Sequence, residues 1–239
     1  MKLPTDTAPV LRVRNLKAWY GESHVLHDID LDIGEGEIVA LLGRNGVGKS
    51  TTLKSLIGLM ERKTGTIEFK GQQIADLPPE RIARLGMAYC PEDRGIFAKL
   101  SVRENLLLPP KLAVGGLELA EIFQLFPNLH DRLDSPGTKL SGGEQQMLAI
   151  ARILRAGAKC LLLDEPTEGL APVIVHRIAS ALRELKRLRY TIIIVEQSLH
   201  FAQSIADRFY VMDEGRVRYA MSGQEFEHNK ANVARVLGV

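Results

Sequence analysis

The chain has 239 residues, of which 45% are hydrophobic and 25% are charged, and its formal net charge is +2. That apolar content supplies a sizeable core, and so small a net charge gives no reason to expect a nucleic-acid partner. No run reaches the roughly 18 apolar residues that a membrane-spanning helix needs, and residues 1–9 lack the apolar stretch of a secretory signal. We therefore expect a cytoplasmic chain that works at a membrane only if another protein holds it there.

The first part of the chain alternates short apolar runs with turn signals. These runs predict strands at 11–13, 31–33, 38–42, 66–69 and 87–90. The run at 38–42 is continuously apolar between two glycines, which is the pattern of a strand buried on both faces. Helices are predicted from Lys49 to about Ile57, where Gly58 ends the helix, and from Pro79 towards Leu85.

The second part begins with a stretch rich in helices and then returns to strands. Helices are predicted at 102–107, 117–126, 141–154 and 172–188, and strands at 160–163, 191–195 and 209–212. Strand, helix and strand in this order predict an α/β fold with a parallel core. The helical stretch between residues 91 and 155 then reads as an insertion into that core.

The strongest chemical signal is a glycine-rich loop between the predicted strand at 38–42 and the helix that follows. It reads, in order, Gly43, Arg44, Asn45, Gly46, Val47, Gly48, Lys49, Ser50, Thr51. Glycines let successive backbone N–H groups turn towards an anion, and the dipole of the helix adds positive potential. The pattern predicts a loop that binds a nucleotide, in which Lys49 reaches the β- and γ-phosphates and Ser50 ligates Mg²⁺.

Two adjacent acids close another apolar run. Asp164 and Glu165 follow the predicted strand at 160–163. In an open α/β sheet ligands lie at the carboxyl ends of strands, so both acids are expected to face the bound phosphates. Asp164 would hold Mg²⁺, directly or through water, and Glu165 would orient or deprotonate the attacking water in an in-line phosphoryl transfer. A plain solvated turn is the alternative, and the phosphate loop in the same chain weighs against it.

A third motif opens the predicted helix at residue 141. It reads Leu140, Ser141, Gly142, Gly143, Glu144, Gln145, Gln146. With Ser141 as N-cap and Glu144 in the first turn, it forms a second helix N-terminus suited to a phosphate. One γ-phosphate cannot lie against two such termini of one domain unless they converge. Together with the phosphate loop and the strand that ends in two acids, this run resembles the ATP-binding cassette (ABC) ATPases over nearly the whole chain.

The resemblance implies a fold and a mode of assembly. It implies one ABC ATPase domain at 10–239, with a RecA-like parallel-sheet core and an antiparallel β subdomain at about 10–90 and 156–239, and an inserted helical subdomain at about 91–155. It also implies two cassettes packed head to tail, so that the Ser141 motif of one closes over the ATP held by the other. The family places an aromatic that stacks on adenine at Tyr20, with Trp19 as the competing choice.

Three positions depart from the common family pattern. Glu92 stands where a glutamine usually senses Mg²⁺ and the membrane partner, and a carboxylate can still ligate the ion. Gln197 stands where a histidine usually contacts the γ-phosphate; it can donate a hydrogen bond but cannot carry a positive charge. Ala171 replaces an aspartate that contacts the other subunit. These departures bear on the efficiency of this ATP site rather than on ATP binding.

Short segments narrow the resemblance further. Residues 195–197 and 168–172 look like the second ATPase subunit of bacterial branched-chain amino acid importers, whereas residues 43–47 are reminiscent of urea or short-chain amide importers. Either resemblance implies integral-membrane permease subunits, a second cassette in a heterodimer or homodimer, and indirectly an external solute-binding protein. The chain would then lie on the cytoplasmic face of the inner membrane.

Two other classes of function compete with transport. A soluble ABC ATPase that acts on the ribosome or on nucleic acid carries a long coiled-coil insertion or a second cassette. Here the phosphate loop and the Ser141 motif are about 90 residues apart without sustained heptads, and there is one cassette. We therefore expect no nucleic-acid partner. A regulatory module that binds nucleotide without turnover would require an idle Glu165.

Overall fold

Two β-sheets organise the chain, which is described here from a computed structural model covering residues 8–238. In chain order the strands are β1 (Leu11–Tyr20), β2 (Ser23–Ile33), β3 (Ile38–Leu42), β4 (Arg62–Phe69), β5 (Gln72–Gln73), β6 (Met87–Cys90), β7 (Cys160–Asp164), β8 (Thr191–Glu196), β9 (Arg208–Asp213) and β10 (Arg216–Ser222). The α-helices are α1 (Lys49–Leu56), α2 (Pro79–Arg84), α3 (Val102–Leu107), α4 (Leu119–Leu125), α5 (Pro127–Asp131), α6 (Gly142–Arg155), α7 (Pro172–Arg187), α8 (Leu199–Ile205) and α9 (Gly223–Leu237).

The larger sheet has the order β10-β9-β3-β8-β7-β6, and all neighbours except β10 and β9 run parallel. Strands β3, β7 and β8 are buried along their full length. In β3, Ile38, Ala40 and Leu42 join one core cluster, whereas Val39 and Leu41 join a second cluster on the opposite face. The carboxyl ends of these three strands therefore meet at one edge of the sheet, which is where ligands bind in open α/β folds.

The smaller sheet is antiparallel, with the order β2-β1-β4-β5, and it shares the second core cluster with α1 and the larger sheet. The strands predicted at 11–13 and 31–33 are the ends of the much longer β1 and β2. Register shifts interrupt the pairing of these two strands after Val13. Such bulges break the alternation of apolar and polar residues by which a strand is recognised in sequence.

The segment between β6 and β7 is helical, as predicted, and includes a short 3₁₀ turn at Gly137–Lys139. Ser141 is the N-cap of α6, as predicted, so the helix itself begins at Gly142, and α4 is shorter than the predicted 117–126. The α/β fold class is confirmed, whereas α5, α8, α9, β5 and β10 lie outside the predicted elements. Across residues 8–238, no helix combines the length and the apolar character needed to cross a bilayer.

Candidate functional site

A cleft of about 430 Å³ opens at the carboxyl edge of the larger sheet. Its walls are formed by Tyr20, Val25, Asn45, Gly46, Gly48, Lys49, Ser50, Thr51, Glu92, Glu165 and Glu168. All of these except Val25 and Glu168 are site candidates from the sequence. The fold thus gathers side chains from the end of β1, the phosphate loop, the loop after β6 and the loop after β7 around one space.

The phosphate loop packs so tightly that two of its positions accept only glycine. Gly48, the N-cap of α1, has a φ of 102°, and a Cβ there would lie 2.6 Å from Cδ2 of Leu26. A Cβ at Gly43 would lie 2.6 Å from Cγ2 of Val47 and 2.9 Å from the backbone oxygen of Met212. The loop is therefore fixed against the end of β9, and α1 presents its free N–H groups and the positive end of its dipole at the cleft.

Lys49 is buried at the base of the cleft, with 4% of its surface exposed. Its Nζ donates hydrogen bonds to the carbonyl oxygens of Gly43 at 2.8 Å and Arg44 at 3.1 Å, and it lies 3.3 Å from Oε1 of Glu165. Among the residues that line the cleft in the described part of the chain, it is the only cation. An anion that enters the cleft meets its positive charge there.

Ser50 and Asp164 form a pair of oxygen donors suited to a hard cation. Ser50 Oγ donates a hydrogen bond to Oδ1 of Asp164 at 2.8 Å, and the Tyr89 hydroxyl donates to Oδ2 at 2.7 Å. Burial, together with this bond, raises the pKa of Tyr89. Glu92 lines an adjoining cavity together with Ser50 and Asp164. This donor set fits Mg²⁺, which takes a few protein oxygens and keeps water and phosphate oxygens in its other positions. The sequence did not single out Tyr89.

Glu165 begins the loop after β7 in a strained conformation, with a φ of 46°. Left-handed backbone at a bulky residue costs about 1–2 kcal/mol and is found most often at functional sites. Its carboxylate accepts hydrogen bonds from Nε2 of Gln197 at 3.2 and 3.4 Å. Burial by itself raises the pKa of Glu165, but a hydrogen bond from Glu168, the Lys49 charge and the Gln197 amide outweigh it, and the net pKa is lowered. Glu165 is thus an ionised carboxylate able to orient or deprotonate a water molecule.

Glu168 is an acidic member of the cleft wall that sequence reasoning missed. Its backbone N–H donates to the carbonyl oxygen of Glu165 at 3.2 Å, which closes a turn and brings both carboxyl groups into the cleft. The hydrogen bond to Glu165 and the charge of Glu165 raise the pKa of Glu168 to about 7, and burial and Glu92 add to the effect. The three-residue spacing of the two acids was the available signal.

Gln197 connects the catalytic candidate to the phosphate loop. Its Nε2 also donates to Oδ1 of Asn45 at 2.5 Å. The preceding Glu196 is 3% exposed and accepts hydrogen bonds from N and Oγ1 of Thr167 at 3.2 and 2.7 Å. Burial chiefly raises the pKa of Glu196 to about 7. These contacts fix the loop after Glu165 to the end of β8. Glu196 belongs to the segment 195–197 that carries the family resemblance, but sequence reasoning assigned it no role of its own.

The aromatic residues at the end of β1 have separate environments. Tyr20 lines the cleft and is 50% exposed. Trp19 stacks instead on His24, with ring centroids 4.4 Å apart, and the Arg62 guanidinium lies 5.0 Å from its ring centre. Tyr20 therefore offers a free ring face to a ligand in the cleft, whereas the faces of Trp19 contact other side chains.

The Ser141 motif lies outside the cleft of its own chain. Ser141 Oγ accepts from the Glu144 N–H at 3.3 Å, and Glu144 Oε2 accepts from the Ser141 N–H at 2.8 Å, which completes a capping box. Gly143 packs against α7, because a Cβ there would lie 2.6 Å from Cγ2 of Ile174. A Cβ at Gly142 would lie 3.2 Å from the Arg94 guanidinium. The motif is a rigid helix N-terminus, and exposed Ser141 leads it.

Other candidates of the phosphate loop point away from the cleft. Arg44 Nε donates to the carbonyl oxygen of Leu237 at 3.2 Å, at the end of α9. Val47 packs against the core cluster beneath the smaller sheet. Gly43, Asp164 and Gln197 do not line the cleft themselves, but they accept hydrogen bonds from, or donate them to, residues that do. The structure thus brings the phosphate loop, both acids, Tyr20 and Glu92 together and leaves the Ser141 motif apart.

Comparison with protein families shows to which family this chain belongs. A family model described as ABC transporter matches residues 26–168, which is more than half of the chain. The chain belongs to the ABC transporter family of ATP-binding proteins. It is therefore an ATPase of the kind that powers transport, as the resemblance predicted, and ABC ATPase domains bind ATP and work with membrane permease subunits.

Curated relatives of this ABC ATPase cover almost its full length. It is similar to the high-affinity branched-chain amino acid transport ATP-binding protein BraG of Pseudomonas aeruginosa, with 39% identity over 87% of this chain and 91% of the relative. The probable branched-chain amino acid transport ATP-binding protein LivF of Archaeoglobus fulgidus is 39% identical over 92% and 96%. The lipopolysaccharide export ATP-binding protein LptB of Escherichia coli K12 is 34% identical over 87% and 88%.

Solved structures agree with the fold. An ATP-binding subunit of an ABC transporter superposes with a TM-score of 0.81 at 30% identity, covering 96% of this chain and 100% of that one. The ADP conformation of an ATP-binding cassette of an ABC transporter gives a TM-score of 0.82 at 26% identity, covering 97% and 98%. The predicted ABC cassette fold is confirmed.

Proposed function

We propose that this ABC ATPase hydrolyses ATP to power a membrane importer of branched-chain amino acids. The observation that carries the chemistry is the shared cleft, in which Lys49, the Ser50–Asp164 pair and Glu165 surround one space. The observation that favours this solute is the 39% identity to two cassettes named for branched-chain amino acid transport. Import of urea or short-chain amides is the alternative, on the resemblance of residues 43–47.

The geometry supports a division of roles along the cleft. Tyr20 stacks on the adenine, and the backbone of residues 45–51 with the Lys49 charge binds the phosphates. Ser50, Asp164 and Glu92 would hold Mg²⁺, which would neutralise charge on the β- and γ-phosphates. Glu165 orients the attacking water or takes its proton.

Gln197 takes the place of the usual histidine in this scheme. Its two amide N–H groups donate to Asn45 and Glu165, so a hydrogen bond towards the γ-phosphate would replace one of these contacts and would add no positive charge. The missing positive charge at Gln197, together with the missing inter-subunit acid at Ala171, is expected to lower the efficiency of this ATP site. We therefore propose two unequal sites in a heterodimer whose other cassette carries the histidine, with a homodimer as the alternative.

The exposed Ser141 motif supports an assembly in which residues 141–144 bind the ATP of a second cassette. We propose that the whole chain from residue 10 onwards forms one cassette domain, with residues 91–155 as the helical subdomain that receives the permease. The chain would act on the cytoplasmic face of the inner membrane and cooperate indirectly with an external solute-binding protein.

The first experiment identifies what the tagged chain binds in gently solubilised membranes of its host. Two multi-spanning proteins and a second cassette would support the importer, and uptake of labelled leucine and urea by the reconstituted complex would assign the solute. Ribosomal proteins or nucleic acid in place of membrane partners would contradict it.

A second experiment tests Glu165 in the assembled complex. Glu165→Gln should lower kcat for ATP hydrolysis about 100-fold or more, because a general base contributes at least that much, while ATP still binds. Glu61→Gln, which changes an exposed glutamate outside the cleft, is the matched control. Unchanged turnover in Glu165→Gln would instead favour a regulatory module that binds nucleotide.

A further inference from the structure

A second cavity, with a volume of about 420 Å³, lies at the amino ends of β7 and β8, at the opposite edge of the larger sheet from the cleft. Three cations line it: Lys70 after β4, Lys159 before β7, and Arg189 between α7 and β8. We call it the basic cavity. Its wall also contains one acid, Glu35, so three cations and one acid leave a formal net charge of +2. The fold, rather than a local motif, brings these charges together.

The positive charge around the basic cavity is not neutralised by ion pairs within residues 8–238. None of the three cations, nor Glu35, takes part in an ion pair there. The Lys159 ammonium lies 3.9 Å from the ring centre of Tyr190, and burial lowers the pKa of Lys159, although the charge of Glu121 opposes the effect. Like charges around one space repel each other, and an anion in the cavity would offset that repulsion.

Arg189 occupies a backbone position that favours glycine. Its φ is 63°, and its N–H donates to the carbonyl oxygen of Lys186 at 2.9 Å. The Tyr190 N–H donates to the carbonyl oxygen of Leu185 at 3.0 Å, which completes the Schellman motif that usually has glycine at this point. A Cβ at Gly36 would lie 3.2 Å from Cζ of Arg189. The chain therefore places a guanidinium at the cavity wall where the backbone alone would favour a residue without a side chain.

A buried hydroxyl adds a neutral donor to the wall. Thr191 lines the basic cavity and is 3% exposed. Its Oγ1 accepts a hydrogen bond from the Gly36 N–H at 3.0 Å, and within residues 8–238 its hydroxyl hydrogen is donated to no acceptor. Buried donors are normally paired, and an anionic oxygen in the cavity would supply the acceptor. Apolar side chains complete the wall, namely Val10, Phe69 and Leu188.

We propose that the basic cavity binds a small organic phosphate, with the phosphate group among the three cations and an apolar body against Phe69 and Leu188. A phosphate monoester carries nearly two negative charges at neutral pH, which matches the net charge of the wall. Arginine binds phosphate through two parallel N–H donors, and lysine binds it as a point charge. The volume lies in the range of small-molecule sites. This site is separate from the cleft and does not depend on the proposed transport function.

Calorimetric titration of the full chain with 1-naphthyl phosphate at neutral pH tests the proposal. This probe combines a dianion with an aromatic body and should bind one molecule per chain, with a Kd of about 1 mM or tighter. Inorganic phosphate and 1-naphthylmethanol each lack one half of the recognition and should bind at least about 10-fold more weakly. Absence of binding by 1-naphthyl phosphate would overturn the proposal.

Two matched substitutions locate the probe. Arg189→Gln should raise the Kd about 10-fold or more, because a hydrogen bond between two charged groups is lost. Arg187→Gln makes the same change two residues earlier on α7, at a side chain that is 81% exposed and outside the cavity, and should leave the Kd unchanged. Equal affinities in both variants and the wild type would overturn the proposal.

Arg189→Gly separates binding from folding. Glycine adopts a positive φ without steric cost, so Tm should stay the same or rise while the Kd increases as much as in Arg189→Gln. A fall in Tm together with the loss of binding would instead assign Arg189 a structural role and overturn the argument.

Two further measurements exclude other locations and sources of phosphate. Lys49→Ala removes the cation of the cleft and should not change the Kd of the probe; loss of binding in Lys49→Ala but not in Arg189→Gln would place the probe in the cleft and overturn the proposal. Vesicles that contain phosphatidic acid present the same phosphate monoester on a lipid. They should not sediment the chain, and sedimentation that Arg189→Gln abolishes would assign the site to a lipid headgroup instead of a small soluble ligand.

Discussion

Replacing Gly143 by alanine is expected to destabilise the chain relative to the same replacement at Gly142. Both glycines lie in the first turn of α6. A Cβ at position 143 would lie 2.6 Å from Cγ2 and 2.9 Å from Cγ1 of Ile174, whereas at position 142 the nearest atom would be 3.2 Å away, at the flexible end of Arg94. The neighbouring positions therefore form a matched pair that differs in packing alone.

Two opposing contributions set the difference in the free energy of unfolding between the two alanine variants. Alanine in place of glycine favours a helix by about 1 kcal/mol, and at Gly142 that gain stands almost alone. At Gly143 the crowded contact with Ile174 costs about 1–3 kcal/mol, which cancels or reverses the gain. The two variants should thus differ by about 1–3 kcal/mol in the free energy of unfolding, or roughly 2–12 °C in Tm for a chain of this size.

Urea unfolding of the two variants, alone and combined with Ile174→Ala, measures the effect. Because Ile174→Ala removes the crowding atoms, Gly143→Ala should be tolerated better in that background, with a coupling energy of about 1–3 kcal/mol, and Gly142→Ala should show almost none. Equal stability of the two single variants, with no coupling between residues 143 and 174, would refute the packing argument.

Three further predictions concern the cleft. Tyr89→Phe should lower the free energy of unfolding by about 1.5–3 kcal/mol in urea titrations, because buried Asp164 loses a hydroxyl donor at 2.7 Å; a change below 0.5 kcal/mol, the typical surface value, would contradict this. Tyr20→Ala should weaken ATP binding by about 1–3 kcal/mol, the cost of a lost base stack, whereas Trp19→Ala should leave ATP binding unchanged. Equal losses of affinity in a fluorescent-nucleotide assay would contradict the assignment of Tyr20 as the residue that stacks on adenine. In the folded chain the pKa of Glu196 is raised to about 7, so protonated Glu196 favours folding and this contribution is lost as pH rises from 4.5 to 7. The free energy of unfolding of Glu196→Gln should therefore rise by about 2–3 kcal/mol relative to that of the wild type between pH 5 and pH 8. A difference in urea unfolding that stays constant over this range would argue against it.

The strands of the parallel core and the chemical motifs could be predicted from the sequence because each leaves a local signal. The apolar run of β3 is buried on both faces, and Gly43 and Gly48 of the phosphate loop are fixed by contacts that no other residue could accept. By contrast the alternation of β1 breaks at Asn15, since its pairing with β2 shifts register between Val13 and Leu16. Bulges are set by the partner strand, and the partner is not visible in a local pattern.

Tyr89 and Glu196, two site residues that the sequence did not predict, were missed for a different reason. Tyr89 lies in a strand of the core, and its hydroxyl meets Asp164 only because β6 pairs with β7. Glu196 meets Thr167 because β7 pairs with β8. Their roles arise from sheet order, which motif spacing does not encode. Glu168 is the exception, since a turn from Glu165 could have been proposed from the sequence alone.

The arrangement of the two helix N-termini has a consequence for how the chain works. The end of α1 with Lys49 faces the cleft, whereas Ser141 at the start of α6 lies outside it. A capping box fixes the first turn of α6, and the contact of Gly143 with Ile174 packs that turn against α7 rather than against α1. If both termini bind one nucleotide, they must therefore come from two chains. Three residues of this chain, Glu92, Ala171 and Gln197, depart from the family pattern, so a partner cassette that keeps the common residues would make the two composite sites unequal.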